Sequence, residues 1–214
     1  ATRYLAWHAL RKLGKRAEPA LQKLWADSNL RHRARALWIL GKIAGRESHY
    51  VNLAVKDENS DIRIVGLRLA RQSAEVETIA VVSKLVDDPS PQVRRECAIA
   101  LRHEKTARAA KLWAELAIRH DGKDRWYLEA LGLSSDLNAD ACFNAWLAKV
   151  GGKWNTPVGR DIVWRVRAKS APSYLVKILK DEKLPSESHP RYVRALDFHS
   201  GPEKDKALES LLDI

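Results

Sequence analysis

The chain has 214 residues, 45% of them hydrophobic and 30% charged, with a formal net charge of +11. That balance excludes a disordered polyelectrolyte and leaves room for a sizeable core. The longest uncharged apolar runs, such as residues 79–82, fall far short of the roughly 20 residues that span a bilayer, so no membrane insertion is expected.

In chain order, residues 5–14 read as a helix, with Arg11 and Lys12 interrupting any apolar leader. Residues 17–26 follow as a second helix, with Leu21, Leu24 and Trp25 on one face and Pro19 in the first turn, where a missing N–H costs nothing. Then comes an element that recurs. Asp27 stands six residues before Arg33, Asp57 before Arg63 and Asp88 before Arg94, at spacings of 30 and 31 residues. After each Arg a small residue holds one register (Ala36, Gly66, Cys97), with Leu37, Leu67 and Ala98 beside it. Leu40, Ala70 and Leu101 follow one turn later, the spacing of a helix face that packs closely on another helix. Residues 48–56, 76–86 and 107–120 carry apolar residues at three- and four-residue spacing and read as the first helices of further pairs. Residues 124–132, 139–150, 159–168, 172–180 and 190–198 continue the pattern in looser register, and 203–212 is left as a single helix. Gly14, Gly41 and Gly132 are expected to end their helices, because glycine tolerates positive φ. No segment alternates with a period of two, so no strand is expected. These pieces predict an all-α solenoid of about six to seven helix pairs in a single domain, 1–214. Its repeats are regular over 1–135 and less regular over 136–214, with residues 151–157 a long loop inside one pair.

The Asp-x5-Arg element followed by the small-residue helix resembles the HEAT repeat family over nearly the whole chain. The resemblance implies a right-handed α-α superhelix in which Asp27, Asp57, Asp88 and Arg33, Arg63, Arg94 form a ladder along the array. Within a repeat, each Arg is also offered a charge-assisted bond by the Asp six residues before it. Residues 61–71, 89–103 and 120–132 are similar to the helical segment of large multidomain proteins from planctomycete, verrucomicrobial and related bacteria. In those proteins a membrane-bound dehydrogenase propeller precedes the HEAT segment and a haem-binding cytochrome c module follows it. The resemblance implies a piece of a longer, periplasmic or otherwise extracytoplasmic redox protein, with its dehydrogenase chemistry outside this chain.

No catalytic site, metal site or cofactor is read from the residues. The seven histidines make no ligand pair on one helix face, and Cys97 and Cys142 lack zinc spacing and read as buried thiols. His120 with Asp121 and Asp124 reads as a helix cap and turn. The glycines at 151 and 152 before Lys153 lack the strand and earlier glycine of a phosphate loop. The eight tryptophans read mainly as gap-fillers between stacked pairs. The expected function is therefore a non-enzymatic scaffold that contacts a protein, or neighbouring domains of its own polypeptide, through exposed second-helix residues. The candidates are Arg35, Trp38, Arg68, Arg71, Arg95, Arg102, Arg125 and Trp126. Nucleic acid is the second-ranked partner, in the manner of alkylpurine DNA glycosylases. Asp161 or Asp124 would be the carboxylate there, beside Trp164 or Trp126. Against that reading, residues 1–50 carry +8 of the net charge, away from both carboxylates.

Overall fold

The computed structural model describes residues 2–212, and every regular element among them is helical. The helices cluster into two compact units, one running through Ala100 and the other starting at Leu101. No helix among the described residues is long and apolar enough to cross a membrane.

The first unit holds α1 (Thr2–Leu13), α2 (Glu18–Trp25), α3 (Leu30–Leu40), α4 (Glu47–Ala54), α5 (Ser60–Ala70), α6 (Thr78–Leu85) and α7 (Pro91–Ala100). Sequential helices pair as α2 with α3, α4 with α5 and α6 with α7, and α5 touches both α3 and α7. The recurring register is the buried one: Ala36, Leu37, Leu40, Leu67, Ala70, Cys97 and Ala98 have no exposed surface. Burying each leucine contributes about 2 kcal/mol. Gly66 shows why the first of these positions is small. A Cβ there would stand 2.7 Å from the Ala54 Cβ on the partner helix α4.

The recurring Asp does two jobs in the turn before each second helix. One carboxylate oxygen accepts the backbone N–H two residues on, from Asn29, Asn59 and Ser90 at 2.7, 3.0 and 2.9 Å. Asn29 and Asn59 then cap the helices that follow. The second job is cross-repeat. Arg33 bonds Asp57, and Arg63 grips Asp88 with two bonds of 2.7 and 2.8 Å. The side-chain bond offered within a repeat does not form at Arg63 or Arg94. These arginines instead donate to the backbone carbonyls of Asp57 and Asp88, at 2.8 and 2.6 Å. The carboxylate is already turned toward its own loop N–H and the preceding repeat, so only the carbonyl faces the local Arg.

The second unit holds α8 (Ala107–Ala117), α9 (Arg125–Ser135), α10 (Ala139–Val150), α11 (Pro157–Arg165), α12 (Ala171–Leu179), α13 (His189–Ala195) and α14 (Pro202–Glu209). Here α8 packs on α9 and α10, α9 on α11, α11 on α12, and α12 on α13 and α14. Trp113 is buried and donates its indole N–H to the Leu131 carbonyl at 2.8 Å, while Phe143 stacks on buried Trp146. Thr106, Asp124 and Thr156 cap α8, α9 and α11. Pro157, Pro172, Pro190 and Pro202 all sit in first turns.

Gly41 does end α3, as its C-cap, but with φ −71° rather than a positive value; it is small because a Cβ would meet the Leu69 side chain at 2.6 Å. Gly132 does not end α9, which continues to Ser135; the Arg165 guanidinium occupies the place of the missing Cβ. Gly14 alone of the three has positive φ, +53°. Cys97 and Cys142 are unpaired and buried, and burial pushes the Cys142 thiol up to about 12.

His199 sits behind α13 with its Nε2 buried and unpartnered. Burial, with help from the charges of Arg167 and Lys204, pulls its imidazole down from 6.5 to about 4. Below pH 6.5 the unfolded chain therefore takes up a proton that the folded chain refuses until about pH 4. Stability contributed by neutral His199 is complete above that window and is lost as pH falls through it. At about 1.4 kcal/mol per pH unit, the loss reaches roughly 2 kcal/mol once partial exposure is allowed for. Urea midpoints at pH 7 and pH 4.5 check this: His199→Gln should lose part of the acid sensitivity, and an unchanged pH slope would refute it.

Candidate functional site

A concavity of the first unit lies along α1, α3 and α5, with a volume of about 560 Å³. Its α1 wall is Arg3, Ala6, Trp7 and Leu10, positions at i, i+3, i+4 and i+7 and therefore one helix face. From α3 come Arg35, Trp38 and Ile39, and from α5 come Val65 and Arg68, with Leu21 and Leu24 of α2 also lining it. No acidic residue lines the groove, and no residue of α1 is buried. The two indoles carry cations on their faces: Arg11 stands 5.2 Å from the Trp7 ring centre and Lys42 4.9 Å from that of Trp38.

This groove brings together three of the eight expected contact residues, Arg35, Trp38 and Arg68. Arg68 and Arg71 both bind the buried carboxylate of Glu96, at 2.8 and 3.1 Å, so part of their charge is used inside the unit. Arg95 lies half-buried on α7. Arg102, Arg125 and Trp126 belong to the second unit. Trp126 is 68% exposed and is the one tryptophan of that unit on the open surface. Register reasoning missed Arg3, Trp7 and Leu10, although their spacing was a readable signal.

The second unit contains a polar cleft of about 220 Å³ lined by His120, Lys123, Arg125, Asp161, Trp164 and Arg191, among others. His120, buried after α8, faces Asp161 Oδ2 through Nε2 at 3.0 Å. Its Nδ1 is buried without a hydrogen-bond partner. Arg191 of α13 donates to the other oxygen, Oδ1, at 2.7 Å and stacks over Trp164 at 4.6 Å. Burial raises the Asp161 carboxyl, but the His120 bond and the Arg191 charge outweigh it and hold the group below the usual carboxylate range. Asp161 is thus an ionised carboxylate with one donor on each oxygen. The cap-and-turn residues divide: Asp124 Oδ1 accepts the Tyr127 N–H, Asp121 accepts the Lys123 N–H, and His120 turns away to Asp161.

Two further ties lie in this unit. Arg165 bonds Glu129 at 3.0 Å, in the space left by Gly132, and Arg160 bonds Asp181 at 2.6 Å. No group of three or more His, Cys, Asp or Glu able to hold a metal ion is present among the described residues. No family model matches the chain, and no curated protein matches it.

Proposed function

We propose that the chain is a non-catalytic HEAT-type scaffold, a right-handed α-α superhelix of about six to seven helix pairs. It docks a protein, or a neighbouring domain of its own polypeptide, on the α1–α3–α5 groove. The strings at 61–71, 89–103 and 120–132 support placing it as the helical spacer of a larger extracytoplasmic redox protein, whose dehydrogenase and haem chemistry lie outside this chain. The observation that carries the docking reading is the groove itself: an open apolar trough of about 560 Å³ with arginines at its rim and no acid in its lining. Such a surface is unfavourable to leave in water and suits a partner that covers it.

The glycosylase reading asks for arginines free to meet phosphates and for a carboxylate free to face a sugar cation. Here Arg33, Arg63, Arg160, Arg165 and Arg191 each hold a carboxylate of the chain. Asp161 has a donor on both oxygens, and Asp124 caps α9.

The test has two arms. A photoreactive phenylalanine analogue replacing Trp38, in cells of the source organism, is expected to give discrete protein adducts that the same probe at exposed Ile118 does not give. A salt-dependent DNA titration with an abasic-site assay is expected to show no base excision. Tight DNA binding with excision lost in Asp161→Asn or Asp124→Asn would overturn the scaffold reading.

A further inference from the structure

We infer that the occupant of the α1–α3–α5 groove is an amphipathic helix with acidic flanks, its apolar anchors seated between Trp7 and Trp38 and its carboxylates meeting Arg3 and Arg35. This deepens the docking reading above and rests on it.

The guest must be helical because of what the groove can and cannot offer its backbone. The walls are α-helices whose N–H and C=O groups, outside the first turn of α1, are already used internally, and no sheet edge exists among the described residues to receive an added strand. A guest lying in an apolar trough must therefore satisfy its own backbone bonds, which a helix does and an extended peptide does not. The size agrees. A volume of about 560 Å³ falls within the range of sites that enclose a compact apolar group, enough for anchors spaced i, i+3/i+4, i+7. The α1 face offered to the guest repeats at that same spacing, and none of its residues is buried: Arg3 and Ala6 are exposed, Trp7 and Leu10 half-buried.

The charge follows from the rim. Arg3 and Arg35 have no carboxylate partner among the described residues, whereas Arg68 at the far end is held by Glu96. Residues 1–50 carry a net +8, so the potential around the groove attracts an acidic segment before contact. A nucleic acid strand would find the same arginines, but Arg11 and Lys42 already stand over the faces of Trp7 and Trp38 on which its bases would stack.

The probes are three: a synthetic peptide of ~18 residues, five helical turns, with leucine at the anchor spacing and glutamate on its flanks; the same peptide with lysine for glutamate; and a single-stranded oligonucleotide. Binding is read by tryptophan fluorescence and peptide anisotropy. The glutamate peptide is expected to bind at least tenfold more tightly than the lysine peptide. The Arg3→Glu/Arg35→Glu double variant is expected to reverse that order, with its circular dichroism unchanged because both side chains are exposed. Equal binding of the two peptides, binding of neither, indifference of the double variant, or displacement of the glutamate peptide by the oligonucleotide would each overturn the inference. If position-38 adducts form while the glutamate peptide fails to bind, the partner chemistry is wrong and the docking reading stands. If the adducts fail as well, both fall.

Discussion

Asp88→Ala is expected to destabilise the first unit by about 3 kcal/mol, the largest loss from any of the three recurring aspartates. Its Oδ1 accepts the Ser90 N–H at 2.9 Å and Arg63 Nη2 at 2.8 Å, while Oδ2 accepts Arg63 Nε at 2.7 Å. The Arg63 side chain is only 11% exposed. Removing the carboxylate leaves two guanidinium donors facing a place that water reaches poorly. Breaking a buried pair on one side costs roughly 3–5 kcal/mol, and the residual exposure of Arg63 puts this case at the lower end. Asp57→Ala should cost about 2 kcal/mol, because its partner Arg33 is more exposed and retains the Trp25 carbonyl and ring. Asp27→Ala should cost least, since its side-chain partner is the half-exposed His32 rather than a preceding Arg. Urea denaturation of the three variants should rank them 88, 57, 27. A flat ranking would show that the turn bonds alone hold these loops. The pair Arg63→Met/Asp88→Leu should recover much of the loss, because it removes both the unpaired charge and the desolvation cost together.

The three aspartates also show what was readable in the sequence and what was not. Helix positions were legible because burial imposes a local period, and every expected helix has a counterpart close to its expected bounds. The small positions Ala36, Gly66 and Cys97 were legible for the same reason. The partners of Asp57 and Asp88 were not legible from spacing alone, since six residues point to the Arg of the same repeat while the fold gives these side chains to an Arg 24 or 25 residues earlier, in the ladder order that the family resemblance implied; Asp27 turns to His32 instead. In the second unit the ties run between residues 21 to 41 apart, as in Arg160–Asp181 and His120–Asp161, at no constant interval. A repeat search keyed to one motif passes over them, although they tie successive helices as the regular ion pairs do in the first unit. The groove was half-legible. Arg35, Trp38 and Arg68 share an outward register, but that register cannot tell a free arginine from one held by Glu96, whose burial depends on α5 and α7 meeting.

Gly159→Ala should destabilise the second unit by roughly 3 kcal/mol, against a helix-propensity argument that would favour the alanine by about 1 kcal/mol. Gly159 lies in the first turn of α11, where its N–H is capped by the Thr156 hydroxyl at 3.1 Å. A Cβ there would run into the Trp154 carbonyl, with the carbonyl carbon 2.9 Å away and the capping hydroxyl at 3.2 Å. The obstacle is backbone, already engaged by the Thr156 N–H at 2.9 Å, so no side-chain rotation relieves it. Either the turn before α11 moves or the helix start shifts. Both displace Arg160, Asp161, Trp164 and Arg165, so the His120–Asp161–Arg191 chain should loosen along with the fold. The expected thermal shift is a drop of about 10 °C, and tryptophan fluorescence should change because Trp164 loses its stacked Arg191. Gly152→Ala, seven residues earlier, is the control: a Cβ there meets nothing within 4 Å, so its midpoint should hold or rise slightly. Equal stability of the two variants would mean that the approach of α11 to the Trp154 carbonyl is looser than the structure has it.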